Sequence, residues 1–254
     1  ARSTMTTPER IRSDRLRADR LLVERGLFDS RAKAQAAIEA GLVSANGARV
    51  RKASEDIARD AELKASPAHP YVSRGGVKLA TALDAFKIDP KGRVCLDVGA
   101  STGGFTEVLL TRGARRVYAV DVGRAQLHDT LRGRNEVVSL EATDIRTLSA
   151  AAFDDAPSLI VVDVSFISLK QVLPAALALA AKPAQLVALI KPQFEAGRDR
   201  VKKGVVRDAA VHRAVCDDIV AAVGALGWRV LGVMPSPIAG GDGNVEFLLA
   251  ATSN

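Results

Sequence analysis

Cysteine is nearly absent from this chain of 254 residues, which has two, Cys95 and Cys216. Two isolated cysteines build neither a disulfide framework nor a thiolate metal motif, and they suit a reducing compartment. Histidine is almost as scarce. His69, His128 and His212 are scattered and none stands at ligand spacing from a cysteine, so no metal site is expected. Aromatic residues make up 4% of the chain, which leaves few rings for stacking on nucleic-acid bases. Long hydrophobic runs are missing too. The longest, Val172–Ala181 and Ile219–Leu226, fall far short of the roughly 20 residues that span a bilayer. No secretory signal is expected, because Ala1–Arg20 is arginine-rich and lacks an apolar centre. Together these absences predict a soluble cytoplasmic protein.

What the chain does have is positive charge. The net charge is +7, and residues 1–52 alone carry twelve Lys/Arg against six Asp/Glu. A basic amino-terminal region implies an anionic partner, a nucleic acid or a membrane surface. The hydrophobic content of 48% is ordinary for a globular protein, and this length accommodates a large domain with a small one.

The small module comes first. Leu16, Leu21, Leu22 and Leu27 predict a short amphipathic helix. Ser30 reads as the N-cap of a second helix, Arg31 to Ala40, stopped by Gly41. Asn46-Gly47 between Leu42 and Val50 is a strong hairpin signal. A proline-punctuated segment, Ala65-Ser-Pro-Ala-His-Pro70, then marks a change of composition. The expected division is a basic-tailed module over 1–66, a linker over 67–72 and a second domain over 73–254.

Beyond the linker the pattern alternates. Strands are expected near 93–98, 116–121, 137–140, 159–164, 186–191, 229–234 and 245–250, with helical stretches between most of them. That alternation argues for an α/β fold with a mostly parallel, doubly wound sheet. The last strand follows its predecessor after only a Pro/Gly loop, too short for a helical crossover, and should be antiparallel.

The most informative stretch is Val94–Leu110: a buried strand, a glycine-rich turn and an apolar-periodic helix. The turn Gly99-Ala100-Ser101-Thr102-Gly103-Gly104-Phe105 follows the acid Asp97, and a second acid, Asp121, closes the next strand. An acid about 20 residues beyond such a loop suits a ribose hydroxyl. The glycine spacing matches neither the dinucleotide motif nor a Walker loop, which favours a small nucleoside cofactor such as S-adenosylmethionine. Ligands in open α/β sheets sit at the carboxyl ends of the strands. Asp163 and Lys191 end two strands, Glu246 begins the antiparallel one, and Lys78 lies in the first turn of a helix opened by Ser73-Arg-Gly-Gly76. Singly, each reads as a structural salt-bridge residue. Four ionisable groups gathered beside the loop read as a site.

Several motifs together are similar to those of the TlyA family: Tyr71-Val-Ser-Arg-Gly-Gly-Val-Lys78, Cys95-Leu-Asp-Val-Gly-Ala-Ser-Thr-Gly-Gly-Phe105, Asp163-Val-Ser-Phe-Ile-Ser-Leu169, Lys191-Pro-Gln-Phe-Glu195 and Gly243-Asn-Val-Glu246. The likeness runs from about Arg15 to Leu249. The family comprises ribosomal RNA ribose methyltransferases, often labelled hemolysins, whose catalytic domain resembles FtsJ. The first module resembles the S4 RNA-binding domain, an α+β unit, through Arg15–Leu22, Ser30-Arg-Ala-Lys-Ala and Gly41–Gly47. The resemblance implies a Rossmann-like class I fold with a seven-stranded sheet, and S-adenosylmethionine-dependent 2′-O-methylation of cytidine in ribosomal RNA or ribosomal subunits. It maps a Lys-Asp-Lys-Glu tetrad onto Lys78, Asp163, Lys191 and Glu246. Two loops depart from the family pattern. Val122-Gly-Arg124-Ala125-Gln stands where Val-Gly-Tyr-Gly-Gln is usual, and Lys202-Lys203-Gly204 stands where Lys-Gly-Gly is usual.

A ribose hydroxyl is a poor nucleophile, so its proton must leave as it attacks. A lysine takes that proton only when desolvation or a second cation favours its neutral form. Lys191 is the candidate base and Lys78 the neighbouring cation. Asp163 would place the lysine and sit near the sulfonium, and Glu246 would orient Lys78 or the ribose. For the cofactor, Gly99, Ala100 and Ser101 should line the methionine end. Asp121 should hold the ribose hydroxyls and Asp144 accept from the adenine amino group, and Asp97, Thr102, Gly103, Gly104, Phe105, Val122, Ile145 and Asp163 complete the expected cofactor residues. The expected phosphate contacts are Arg15, Arg17, Arg31, Lys33, Arg49 and Lys52 in the small module, with Arg74, Arg198, Lys202, Lys203 and Arg207 nearer the tetrad. Two rival classes stay open on sequence grounds. A small-molecule methyltransferase leaves the basic module without a task, and the intact tetrad argues against a non-catalytic RNA-binding assembly factor. No amphipathic or spanning segment supports a membrane-lytic protein.

Overall fold

Residues 14–254 are described by the structure, a computed structural model; the basic tail expected ahead of Asp14 lies outside them. The chain divides into two units between Ser73 and Arg74.

In the first unit, strand β1 (Arg15–Arg17) runs straight into helix α1 (Ala18–Glu24), followed by α2 (Arg31–Glu39). The hairpin β2 (Val43–Ala45) and β3 (Ala48–Arg49) comes next, then β4 (Asp56–Ala58) and β5 (Leu63–Ala65). β1 pairs with β4, and β2 pairs with β3 and β5, all antiparallel. Leu21, Leu22, Ile38, Val43, Val50 and Ile57 form the core. The local signals act as expected. Ser30 Oγ accepts from Lys33 N, and Asn46 and Gly47 both adopt left-handed φ, +48° and +78°, as a tight hairpin of right-handed twist requires. One expectation needs correction. Leu16 belongs to β1, and Leu27 lies beyond the end of α1 with 41% exposure, so the first helix is shorter than its leucines implied.

The second unit contains α3 (Gly75–Ala85), β6 (Val94–Val98), α4 (Gly104–Thr111), β7 (Arg116–Val120), α5 (Asp129–Arg132) and β8 (Val137–Leu140). It continues with β9 (Leu159–Val162), α6 (Leu169–Ala178), β10 (Ala184–Ile190), α7 (Pro192–Glu195), α8 (Ala209–Ala225), β11 (Arg229–Pro235) and β12 (Phe247–Ser253). The sheet order is β11-β12-β10-β9-β6-β7-β8, with β12 antiparallel to both neighbours and the other adjacent pairs parallel. All seven expected strands are present, and the last is reversed as its short connection demanded. β6 and β9 are buried throughout their length and, Asp97 aside, apolar, as strands covered on both faces must be. The chain order switches direction between β6 and β9, which opens a crevice at their carboxyl ends.

Register decides where the charges stand. β7, β9 and β10 end at Val120, Val162 and Ile190, one residue before Asp121, Asp163 and Lys191, and β12 begins one residue after Glu246. Ile190 pairs with Phe247 and Val162 with Ala188. The ionisable groups therefore stand just off the end of the strands, where pairing offsets the cost of their burial. Among the described residues no helix is long and apolar enough to cross a membrane.

Candidate active site

A cavity of about 440 Å³ opens beside the ends of β6, β7 and β9, within the range of small-molecule sites. Gly99, at φ +84°, forms its seat. A Cβ there would lie 2.3 Å from the carbonyl oxygen of Asp163, so close approach as well as backbone geometry requires glycine. Asp121 stands across from it, with Oδ2 accepting from Ser101 N at 2.8 Å and Oδ1 from Gly123 N at 2.7 Å. Val122, Asp144, Ile145 and Asp163 also line the cavity. The seat without room for a Cβ, together with carboxylates at separate points of the wall, fits a nucleoside cofactor with a ribose diol and a cationic end.

Not every expected cofactor residue reaches this cavity. Ala100, Thr102, Gly103, Gly104 and Phe105 lie outside its lining. Phe105 is buried, and Gly103, at φ +99°, caps α4 instead. Asp144 is engaged. Arg146 Nη2 donates to its Oδ2 at 2.6 Å and Arg146 N to its Oδ1 at 2.9 Å, and these bonds hold its carboxyl below the usual range. The adenine contact would have to share that carboxylate with Arg146. Glu141, which sequence reasoning missed, accepts from the backbone N–H groups of Ala125, Gln126 and Leu127. It thereby shapes the loop where this chain departs from the family pattern, with Ala125 at φ +52°.

Asp97 calls for a correction. It is wholly buried under the loop rather than in the cavity wall, with Thr106 Oγ1 donating to Oδ2 at 2.7 Å and Oδ1 lacking a partner. Burial pushes its carboxyl up to about 7; the Thr106 bond opposes the rise, and the charges of Asp163 and Asp121 add to it. The folded chain thus holds this proton more tightly than the unfolded chain, and the native state loses stability as pH rises from about 4 through about 7. The loss is of order 1.4 kcal/mol for each pH unit in that window. Asp97→Asn should remove this dependence and gain on the parent protein between pH 5 and 8 in denaturant melts; parallel stability curves for the two would refute it.

The four tetrad residues form two ion pairs. Lys78, on α3 where that helix packs against β10 and β12, reaches Glu246 with Nζ to Oε2 at 2.5 Å, both side chains buried. Gly240 makes room for that carboxylate, since a Cβ there would lie 2.0 Å from Glu246 Oε1. Lys191 Nζ stands 2.6 Å from Asp163 Oδ1, an ion pair by distance but not an aligned hydrogen bond. Its aligned donation goes to Ser165 Oγ at 2.9 Å. Ser165 escaped sequence reasoning, although its place two residues after Asp163 was the available signal.

The basic residues are less uniform than expected. Arg17 and Arg31 both donate to Asp19, a wholly buried carboxylate that also accepts from Gln35. Burial alone would raise the carboxyl of Asp19; the bonds from Arg17, Arg31 and Gln35 outweigh it and hold the group well below its ordinary range. Those two arginines therefore build the module as well as charge its surface. Arg15 donates to Asp56 O, Lys33 pairs with Asp29, and the Arg49 guanidinium lies over Gly41, whereas Lys52 is exposed. In the second unit Arg74 precedes α3. Lys202 and exposed Lys203 form a tight turn bridged from Lys202 to Val205, and Arg207 is exposed beyond it. Arg198 lies in the turn Arg198–Arg200, and its side chain is outside the described ones.

The chain is similar to several known proteins. A family model described as FtsJ-like methyltransferase matches residues 71–253, and a model of the S4 domain matches residues 16–63. The 16S/23S rRNA (cytidine-2′-O)-methyltransferase TlyA of Mycobacterium tuberculosis is 44% identical over 230 residues, 89% of this chain and 86% of that one. YqxC of Bacillus subtilis, which carries an rRNA methyltransferase name, is 47% identical over 231 residues, 89% of this chain and 82% of that one. A solved structure from Streptococcus thermophilus, named as a hemolysin, superposes with a TM-score of 0.76 at 42% identity, covering 95% of this chain and 89% of that one. The chain belongs to the FtsJ-like methyltransferase family, and an S4 domain precedes its catalytic unit.

Proposed function

We propose that the protein transfers the methyl group of S-adenosylmethionine to the 2′-hydroxyl of a cytidine in ribosomal RNA, in the cytoplasm, on free RNA or a ribosomal subunit. The observation that carries this reading is the meeting of two lysine–carboxylate pairs at the sheet edge that also bears the cavity. In this reading the S4 domain (1–66) brings the RNA, a linker (67–72) follows, and residues 73–254 perform the transfer. Lys202, Lys203, Arg207, Arg74 and Arg198 would meet phosphates on the catalytic unit; Arg15, Arg17, Arg31, Lys33, Arg49 and Lys52 would do so on the S4 domain.

When bound, S-adenosylmethionine supplies a methyl carbon made electrophilic by its sulfonium. Gly99, Ser101, Asp121 and Asp144 would hold that cofactor, and Asp163 would offer it a carboxylate. Lys191 in its neutral form accepts the ribose proton at Nζ. The resulting ammonium is stabilised by Asp163 Oδ1 at 2.6 Å and Ser165 Oγ at 2.9 Å, much as a buried aspartate steadies the imidazolium of a hydrolase. Lys78, held in place by Glu246 at 2.5 Å, steadies the developing alkoxide.

The direct test supplies cofactor labelled on the methyl group to purified ribosomal subunits and to naked ribosomal RNA, then digests the product to nucleosides. Labelled 2′-O-methylcytidine is expected; no label on RNA sinks the reading. Asp121→Ala should weaken cofactor binding roughly 10- to 100-fold, the worth of a charge-assisted hydrogen-bonded contact. Unchanged affinity in calorimetry would remove Asp121 from the ribose.

A further inference from the structure

The segment between β9 and α6 bears two of the partners of Lys191, Asp163 and Ser165, and it is strained. Phe166 adopts φ +65° and is 91% exposed. A bulky residue in the left-handed region costs on the order of 1–2 kcal/mol, so the surroundings must hold it there. The restraint comes from α7. Lys191, immediately before α7, donates to Ser165, and the Phe194 ring lies 5.0 Å from that of Phe166. The firmest hold is at the far end. The Glu195 carboxylate accepts from the Ser168 hydroxyl at 2.6 Å and from Leu169 N at 2.7 Å.

The chemistry of that contact is specific. Leu169 opens α6, so its N–H is one of the donors a helix start leaves without an intrahelical partner. The positive end of a ten-residue helix also favours a carboxylate there. Ser168 is the N-cap, and its hydroxyl accepts from Lys170 N while donating to Glu195. One carboxylate thereby ties the last residue of the strained segment to the turn that carries the candidate base. The neighbouring charges are Lys170 on α6, which pairs with Asp218 on α8, and Lys191 with Asp163.

We infer that Glu195 is a positioning residue for methyl transfer: by clamping the 163–169 segment to α7, it keeps Asp163 and Ser165 on Lys191 Nζ. This inference rests on the reading of Lys191 as the base. Without the clamp, the segment relaxes from its left-handed bend and both partners drift from the lysine. The same segment, from Asp163 to Ile167, lines the cofactor cavity and abuts Gly99, so the cofactor site loosens along with it.

The test compares Glu195→Ala, Glu195→Gln and Ser168→Ala in the full-length protein. Misplacing a catalytic contact by about 1 Å can cost about 100-fold. Glu195→Ala should therefore lower kcat, read at saturating cofactor, roughly 30-fold and move the acid limb of its pH profile, while KM for RNA stays within about 3-fold; cofactor affinity falls as well, since residues 163–167 line the cavity. Glu195→Gln, which keeps one acceptor oxygen, should recover activity to within about 5-fold, and Ser168→Ala should fall between the two. Amide exchange over 163–169 should rise in Glu195→Ala. A role as helix cap alone would lower the melting temperature but leave kcat and its pH profile unmoved, and that outcome overturns the inference. So does unchanged amide exchange, whatever the activity. If the parent protein transfers no methyl group to RNA, the functional reading fails, and the exchange measurement still decides the clamp.

Discussion

Lys191→Arg should be as inactive as Lys191→Ala, both losing roughly 1,000-fold in methyl transfer, within the range general-base catalysis supplies. The arginine variant is the informative one. It keeps a cation beside Asp163 and a donor for Ser165, so it preserves the electrostatics of the pair while removing any lone pair that could take a proton. Lys191 does not line the cofactor cavity, so cofactor affinity measured by calorimetry should stay within about 3-fold. Neither change should unfold the protein. Lys191→Arg keeps a charge opposite Asp163, and in Lys191→Ala that carboxylate, 21% exposed, still reaches water, so orphaning it costs less than in a sealed pair. Substantial activity in Lys191→Arg would leave the cation and remove the base, and the proton would then need another acceptor among the tetrad residues.

The tetrad was legible in the sequence because its geometry follows from topology. Once Leu159–Val162 and Leu186–Ile190 read as parallel strands, and the short Pro/Gly connection reversed the last one, Asp163, Lys191 and Glu246 had to share an edge. Glycine at position 99 and acid at 121 were legible for the same reason, since each follows a buried strand by a fixed offset. What the sequence did not disclose was partnership. Nothing in local pattern says that Glu141 would gather three backbone N–H groups, that Asp144 would spend its oxygens on Arg146, or that Asp19 would draw in Arg17 and Arg31. Those contacts depend on side-chain reach across segments that spacing alone does not fix. Asp97 misled for a related reason. An acid at a strand end beside a glycine loop looks like a ligand, but alternation turns its side chain beneath the loop toward Thr106. The first module was read least well, because three-residue strands carry too little period to separate from loops, and Leu16 fitted a helical repeat while pairing in β1 with Ile57.

Breaking the Lys78–Glu246 pair should have the largest effect on stability as well as activity. Lys78 is 8% and Glu246 3% exposed, so Glu246→Ala strands an ammonium in a nearly dry site. Removing one partner of such a pair costs about 3–5 kcal/mol. In a domain of this size that lowers the melting temperature by roughly 10 °C. Glu246→Gln, which still offers an oxygen to Nζ, should lose about half as much. The double change Lys78→Met with Glu246→Leu removes both charges and fills the space, and it should restore the melting temperature to near that of the parent, since apolar replacement of a buried pair is often neutral or stabilising. All three variants should nonetheless transfer methyl groups at least about 100-fold more slowly, because the cation that steadies the alkoxide is gone or displaced. Stability and activity then separate in the double variant. A stable, active Lys78→Met/Glu246→Leu protein would make the pair a packing element of α3 against the sheet, and the chemistry would rest on Lys191 and Asp163 alone.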